Sequence, residues 1–249
     1  MNGMIVIKHT WPHALRLPYD AKPRLIFADP SYNLGIKYDD DPTGDKLEPD
    51  KYELWSLETM YTLMEMLPPG GMLWWLTWAK HGRWTWRYAE AYGSLLHGAP
   101  IIWHERFSQY QSKRLTLDYR MLFPIVKPGA NPVFNPDDIR EESERQILGD
   151  KRADPRGRVP SHVWRVRRLQ GTSKDHVSWH PAQLPPEPLE RIVRGWTNKS
   201  DLVMDAFCGS GNMGIVCKKL NREFVGTDSS QSYVNRANFR IQIHGIKNN

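Results

Sequence analysis

Cysteine is nearly absent from this 249-residue chain: only Cys208 and Cys217 occur. Two cysteines supply no disulfide framework and too few ligands for a zinc site, so no metal is expected, and the thiols suit a reducing cytoplasm. Apolar runs are also short. None approaches the ~18 residues that would predict a membrane-spanning helix. Residues 1–8 lack the long apolar core and small-residue cleavage site of a secretory signal, so a cytoplasmic protein with no membrane partner is expected. Internal repeats and low-complexity segments are missing too. What remains, 40% hydrophobic and 25% charged residues, is ordinary for a globular protein.

The net charge of +6 is compatible with a polyanionic partner without demanding one. Its distribution is more telling. Lys151, Arg152, Arg156, Arg158, Arg165, Arg167, Arg168 and Lys174 crowd one stretch against a single acid, Asp154. Eleven tryptophans are many for this length, with Trp74, Trp75, Trp78, Trp84 and Trp86 close together, and most are expected in the core.

The apolar patterning predicts strands at 25–28, 72–77, 100–106, 119–126, 201–204 and 223–226. It predicts helices at 50–67, 83–96, 188–196, 212–220 and 231–243. In the first helix Leu54, Leu57, Met60, Tyr61, Met64 and Leu67 are expected on the buried face, with Asp50 as its N-cap. The acidic loop 39–45 is expected to be exposed and mobile. Strands alternating with helices predict an α/β fold with a doubly wound, mainly parallel sheet. Residues 1–249 are taken as one domain, into which the polar, basic stretch 131–178 is inserted.

Two motifs carry chemistry. The strand at 202–204 ends in Asp205-Ala206-Phe207-Cys208-Gly209-Ser210-Gly211-Asn212 and opens a helix. Glycines there let the backbone approach a ligand, and the helix start offers free N–H groups. Asp228, ending the next strand, stands where a carboxylate accepts the hydroxyls of a ribose. The third glycine of a dinucleotide fingerprint is missing, as is the Gly-Lys-Ser/Thr of a P-loop, so a smaller nucleoside cofactor such as S-adenosylmethionine fits better.

The strand at 25–28 ends in Asp29-Pro30-Ser31-Tyr32. An exocyclic amine on a base is a poor nucleophile because its lone pair is delocalised into the ring. Hydrogen bonds from its two hydrogens to Asp29 and to the Pro30 carbonyl would free that pair, and Tyr32 can stack on the base. No Pro-Cys loop for carbon methylation is present. Asn131-Pro132-Val133-Phe134 has a similar shape but stands apart from the preceding strand, so it is discounted.

In this order the motifs resemble those of the DNA amino-methyltransferases of the permuted beta class. Asp29-Pro30-Ser31-Tyr32-Asn33-Leu34-Gly35 is similar to the family's Asp-Pro-Pro-Tyr-Asn-x-Gly. The stretch from Ile101-Ile102-Trp103 to Lys127 looks like its Trp-bearing strand followed by an apolar strand ending in lysine. His180-Pro181-Ala182-Gln183-Leu184-Pro185 is similar to its His-Pro-Thr-Gln-Lys-Pro box. The chain departs from the pattern at Ser31, Leu184 and Asn212. The resemblance implies a Rossmann-like methyltransferase fold. S-adenosylmethionine would be held by Asp205, Phe207, Cys208, Gly209, Ser210, Gly211, Asn212, Asp228, His180 and Gln183. Residues 1–249 would then be a single catalytic methyltransferase domain with 131–178 as its inserted target-recognition region, and double-stranded DNA would be the substrate, its target base flipped out, with the basic cluster on phosphates and base edges. Asp at position 29 leans toward adenine N6. A cytosine-N4 enzyme is the alternative, and a catalytically weak DNA-binding protein of this fold a third reading. A homodimer, a separate restriction endonuclease as partner, and a bacterial or phage setting all agree with the resemblance.

Overall fold

A computed structural model describes residues 4–17, 22–39, 45–105, 112–113, 115–169, 171, 173 and 175–244. Its strands are β1 (Met4–Lys8), β2 (Leu25–Ala28), β3 (Met72–Trp78), β4 (Ser94–Leu95), β5 (Ile101–Glu105), β6 (Tyr119–Val126), β7 (Val163–Val166), β8 (Leu202–Asp205) and β9 (Glu223–Asp228). Its helices are α1 (Pro49–Met66), α2 (Gly82–Tyr92), α3 (Glu144–Ile147), α4 (Pro186–Trp196), α5 (Asn212–Lys219) and α6 (Gln231–Ile243). The described strands form one sheet in the order β1-β9-β8-β2-β3-β6-β5-β7, with β4 beside β6. Strand β6 runs antiparallel to β3, β4 and β5, while the other pairings are parallel.

Alternation along the strands divides the core into two layers. Leu25, Phe27, Trp74 and Val203 pack toward α4, α5 and α6. Ile26, Ala28, Trp75 and Met204 pack toward α1 and α2. This is the doubly wound α/β architecture of Rossmann-like proteins. From β8 the chain winds through α5 to β9, and from β2 through α1 to β3 on the other side. The β8–β2 boundary is therefore a topological switch point, where such sheets open a crevice at their carboxyl ends. Among the described residues no helix is long and apolar enough to cross a membrane.

Four expectations need correction. The cap of α1 is Glu48 with Pro49 at the first helical position, and Asp50 sits in the first turn; a proline, lacking an N–H, loses nothing there. The buried face of α1 is rotated: Leu54 and Tyr61 are exposed, while Tyr52, Ser56, Thr59, Met60, Leu63 and Met64 are buried. Ser56 and Thr59 tolerate burial because their hydroxyls donate to the carbonyls of Tyr52 (2.8 Å) and Trp55 (2.7 Å), one turn back. Helix α2 stops at Tyr92, because Gly93 is extended and packs against Ile125 and Val126, so Ser94-Leu95 pair with β6 instead. Residues 40–44 lie outside the described set, but Asp45 is not free: its carboxylate accepts the N–H groups of Leu34 (3.3 Å) and Ile36. Arg106, at the end of an expected strand, also lies outside the described residues.

Two short strands were not among the expected elements. In β1 only Val6 is buried, and the Asn238 side chain ties off its free edge through the Val6 N–H (2.9 Å) and carbonyl (2.8 Å). In β7, Trp164 and Val166 enter the core while Val163 and Arg165 face out, so the basic stretch contributes a sheet strand.

Candidate active site

Asp29 follows β2 and Asp205 ends β8, so the two motifs that stand far apart in sequence meet across one strand pairing. Phe27 is in register with Asp205, and the Ala206 N–H donates to the Phe27 carbonyl at 2.9 Å. Asp228 ends β9 on the other side of β8. Three carboxylates thus stand at the carboxyl ends of three adjacent parallel strands, on the switch point. Burial holds Asp205 up at about 8, only partly offset by the Phe207 N–H it accepts (3.1 Å), with Asp29 and Asp228 adding repulsion. Burial also raises Asp29 to about 6, against the pull of Arg120 and the Tyr32 hydroxyl.

The amine-handling loop is held on every side. Tyr32 donates its hydroxyl to Asp29. Its carbonyl meets His81 Nε2 at 3.1 Å, and the Ser31 carbonyl accepts the Tyr52 hydroxyl at 2.6 Å. Asn33 takes a left-handed conformation and exchanges side-chain bonds with Leu47, at 2.8 and 2.6 Å. Burial, then the Asp29 charge, raises the Tyr32 phenol well above its ordinary value, so it stays a donor.

The glycine turn forms the other wall. Gly209 has φ +46°, and a Cβ there would lie 2.5 Å from His180 Nε2. His180 therefore packs directly on the turn. Burial, with Arg240 adding, lowers its pKa to about 4, so the ring is neutral. Its Nδ1 is buried with no hydrogen-bond partner among the described residues. The Gly209 N–H donates to Asp228 (2.9 Å), whose other oxygen accepts the Ser230 N–H (2.9 Å). Asn212, at the start of α5, donates to the Leu184 carbonyl (2.7 Å), and its amide oxygen accepts from Gln183 (3.2 Å) and Arg240 (3.0 Å). Arg240 also donates to the Ser210 carbonyl. The departure at Asn212 thus ties the His-Pro box to the cofactor turn. Phe207 meets Trp55 and Trp75 edge-on, at 6.0 and 6.4 Å. Cys208 is buried, and burial pushes its thiol well up, so it is inert there.

Together these features fit a nucleoside carrying a positive centre. The turn is too tight for a side chain, a neutral histidine backs it with an orphaned ring nitrogen, and the acids around it are poorly hydrated.

The basic cluster is divided. Arg152 pairs with Asp150 (2.9 Å), Arg156 with Asp154 (3.0 Å) and Arg158 with Glu141 (2.9 Å). Arg165 and Arg167 are exposed, with no ion pair among the described residues, and Arg168 lies 3.7 Å from Glu105. Arg167 and Arg168 follow the end of β7, which runs parallel to β5, so they stand on the carboxyl-end rim with Asp29. Lys174 lies outside the described residues. The discounted Asn131–Phe134 segment is far from this rim: Phe134 packs on Trp196, and the Asn131 carbonyl lies against Gly70, before β3 begins.

Sequence reading missed several residues at the site. Trp11 donates to the Ala206 carbonyl (2.8 Å) and Thr227 hydroxyl (3.2 Å), bracing the cofactor turn from the N-terminal segment. Arg120 and Glu105 lie beneath Asp29. Trp11 stands in no motif, and Glu105 and Arg120 lie inside the 101–127 stretch without being singled out by it.

Residues 24–239 match the family of N6/N4 enzymes described as DNA methylase. The chain belongs to this family. It is 28% identical over 219 residues to the type II methyltransferase M.HpaI of Haemophilus parainfluenzae, covering 87% of this chain and 67% of that protein. It is 27% identical over 231 residues to the DNA adenine methyltransferase YhdJ of Escherichia coli K12, covering 88% and 76%. The solved M1.HpyAVI–SAM complex shares the fold, with TM-score 0.61 and 23% identity over 88% of this chain and 89% of that one. Against both curated relatives the methylase chain is the shorter partner.

Proposed function

We propose that this DNA methylase transfers the methyl group of S-adenosylmethionine to the exocyclic N6 of an adenine turned out of duplex DNA. The observation that carries this reading is the juxtaposition of Asp29 and Asp205 on neighbouring strands at the switch point, which brings an amine acceptor against a nucleoside-binding turn.

S-adenosylmethionine supplies the electrophilic methyl group. Gly209 and Gly211 would give its nucleoside a close backbone, Asp228 and the His180–Gln183 box would flank it, and Asp205 and Phe207 would line it. With a pKa near 6, Asp29 is ionised at neutral pH and accepts one amine hydrogen, while the Pro30 carbonyl accepts the other. The hydroxyl of Tyr32 now occupies an acceptor site on Asp29, and the entering amine replaces it. Tyr32 then serves by stacking on the base. The nitrogen lone pair would form the new N–C bond as the methyl–sulfur bond breaks, its electron pair staying on sulfur to leave a neutral thioether, and Asp29 is the nearest base for the proton that the nitrogen sheds. Holding the reacting atoms in line supplies most of the rate. Arg165, Arg167 and Arg168, on and beyond β7, carry the phosphate contacts nearest the site, and a restriction–modification setting with a separate endonuclease is the wider form of this reading.

Incubation with unmethylated duplex DNA and methyl-labelled S-adenosylmethionine, followed by digestion to nucleosides, tests it. Labelled N6-methyladenine is expected. Labelled N4-methylcytosine would transfer the assignment to the other amine, and no label despite intact cofactor binding would overturn the enzymatic reading.

A further inference from the structure

A charged network lies beneath Asp29. Arg120 comes from β6, directly opposite Trp103 of β5, and its guanidinium sits 5.1 Å from the centre of that indole. Trp103 is fully buried, so this platform is fixed. From it Arg120 reaches three groups. Nη1 is 3.3 Å from the Tyr32 hydroxyl and 3.9 Å from Asp29 Oδ2, and Nη2 donates to Glu105. The second Glu105 oxygen lies 3.7 Å from Arg168, beyond the end of β7.

We propose that Arg120, clamped by Glu105, is a positioning residue for methyl transfer: it fixes the Asp29 carboxylate and the Tyr32 phenol where the target amine must arrive. This rests on the proposed amine chemistry of Asp29. A planar guanidinium can bind two loop side chains with one nitrogen and a half-buried carboxylate with another, which a lysine cannot reproduce. If Arg120 served only to neutralise Glu105, its other nitrogen would have no reason to bridge the catalytic loop.

The titratable groups around Asp29 come from several elements. They are Tyr32 on its own loop, Arg120 from β6, Glu105 from β5, Asp205 from β8, Tyr52 from α1, and Tyr38 from the following loop. Arg120 favours the ionised carboxylate and Glu105 opposes it. Removing one or the other must move Asp29 in opposite directions, whereas general loosening of the site would not.

The test is the pH profile of single-turnover DNA methylation for Arg120→Met, Arg120→Lys and Glu105→Gln, with the Asp29 carboxyl titrated in parallel by carbon-13 NMR. Arg120→Met is expected to move the acid limb about one pH unit higher and to cost roughly tenfold in rate below neutrality. Arg120→Lys keeps the limb near its place and recovers part of the rate. Glu105→Gln moves the limb lower. Cofactor affinity stays within about twofold throughout, since Arg120 touches the amine side of the site. Unmoved titration in Arg120→Met, or the same direction of shift in Arg120→Met and Glu105→Gln, overturns the proposal. If Arg120→Met does not fold, a downward shift in Glu105→Gln is still required. If the wild type does not methylate DNA, the proposed function fails, while the carboxyl titration still decides whether Arg120 governs Asp29.

Discussion

Asp205 carries an electrostatic cost that the fold accepts. Its carboxyl is held at about 8, chiefly by burial. Between the ordinary carboxylate pKa and that value, the folded protein keeps a proton that the unfolded chain has lost, so stability falls as pH rises through this window. Asp205→Asn removes the ionising group. It is expected to stabilise the ligand-free protein more at about pH 8.5 than at about pH 5, by a differential on the order of 4 kcal/mol that appears as a larger rise in unfolding temperature at the higher pH. Thermal melts at both pH values check this, and a gain independent of pH would count against it. Asp205 and Asp29 were legible in the sequence because each ends an apolar run. Arg120, Glu105 and Trp11 were not, because each reaches the site across a strand pairing or from a distant loop. The same blindness applied to Ser56 and Thr59, whose hydroxyls are satisfied within their own helix and so can be buried where apolar residues were expected.

At the scale of elements, the β8–α5 junction tolerates little change. Gly209 combines a positive φ with a neighbour 2.5 Å from where its Cβ would stand. Gly209→Ala must displace the His180 ring and strain the backbone, at about 1–3 kcal/mol. Loss of cofactor affinity well beyond tenfold is expected, measured by calorimetry, with the secondary structure retained. Undiminished affinity would mean that the turn does not approach the cofactor. Elements with long apolar or amphipathic patterns were readable almost to the residue: β2, β6 and α6 fall where their patterns begin and end. Edge strands β1 and β7 were not, since each buries only one face over a few residues. Helix α2 was read too long because Tyr92 and Leu95 continue its apolar character, whereas the close approach of Gly93 to β6 decides its end.

For the whole molecule, the net charge of +6 matters less than where its unpaired part lies. Arg152, Arg156 and Arg158 are engaged by nearby acids, whereas Arg165 and Arg167 are free of ion pairs among the described residues and Arg168 stands at the rim of the site. Replacing Arg165, Arg167 and Arg168 by alanine is expected to weaken DNA binding and flatten its salt dependence by about 2–3 in the log–log slope. Replacing Arg152 and Arg156 should change the slope by less than about 1. Binding titrations over a salt series distinguish the two, and equal effects would return the whole cluster to the interface. The sequence showed that a basic surface existed, but its division depended on which acids fold against it: Asp154 within the stretch, Asp150 beside it and Glu141 from farther back in the chain.

The central claim is that chemistry happens at Asp29 while the cofactor is held by a separate wall. Single-turnover methyl transfer to DNA, measured for Asp29→Ala beside its affinity for S-adenosylmethionine, tests it most directly. Transfer should fall by about two orders of magnitude or more with affinity nearly unchanged. Methyl transfer that survives in Asp29→Ala would contradict the account.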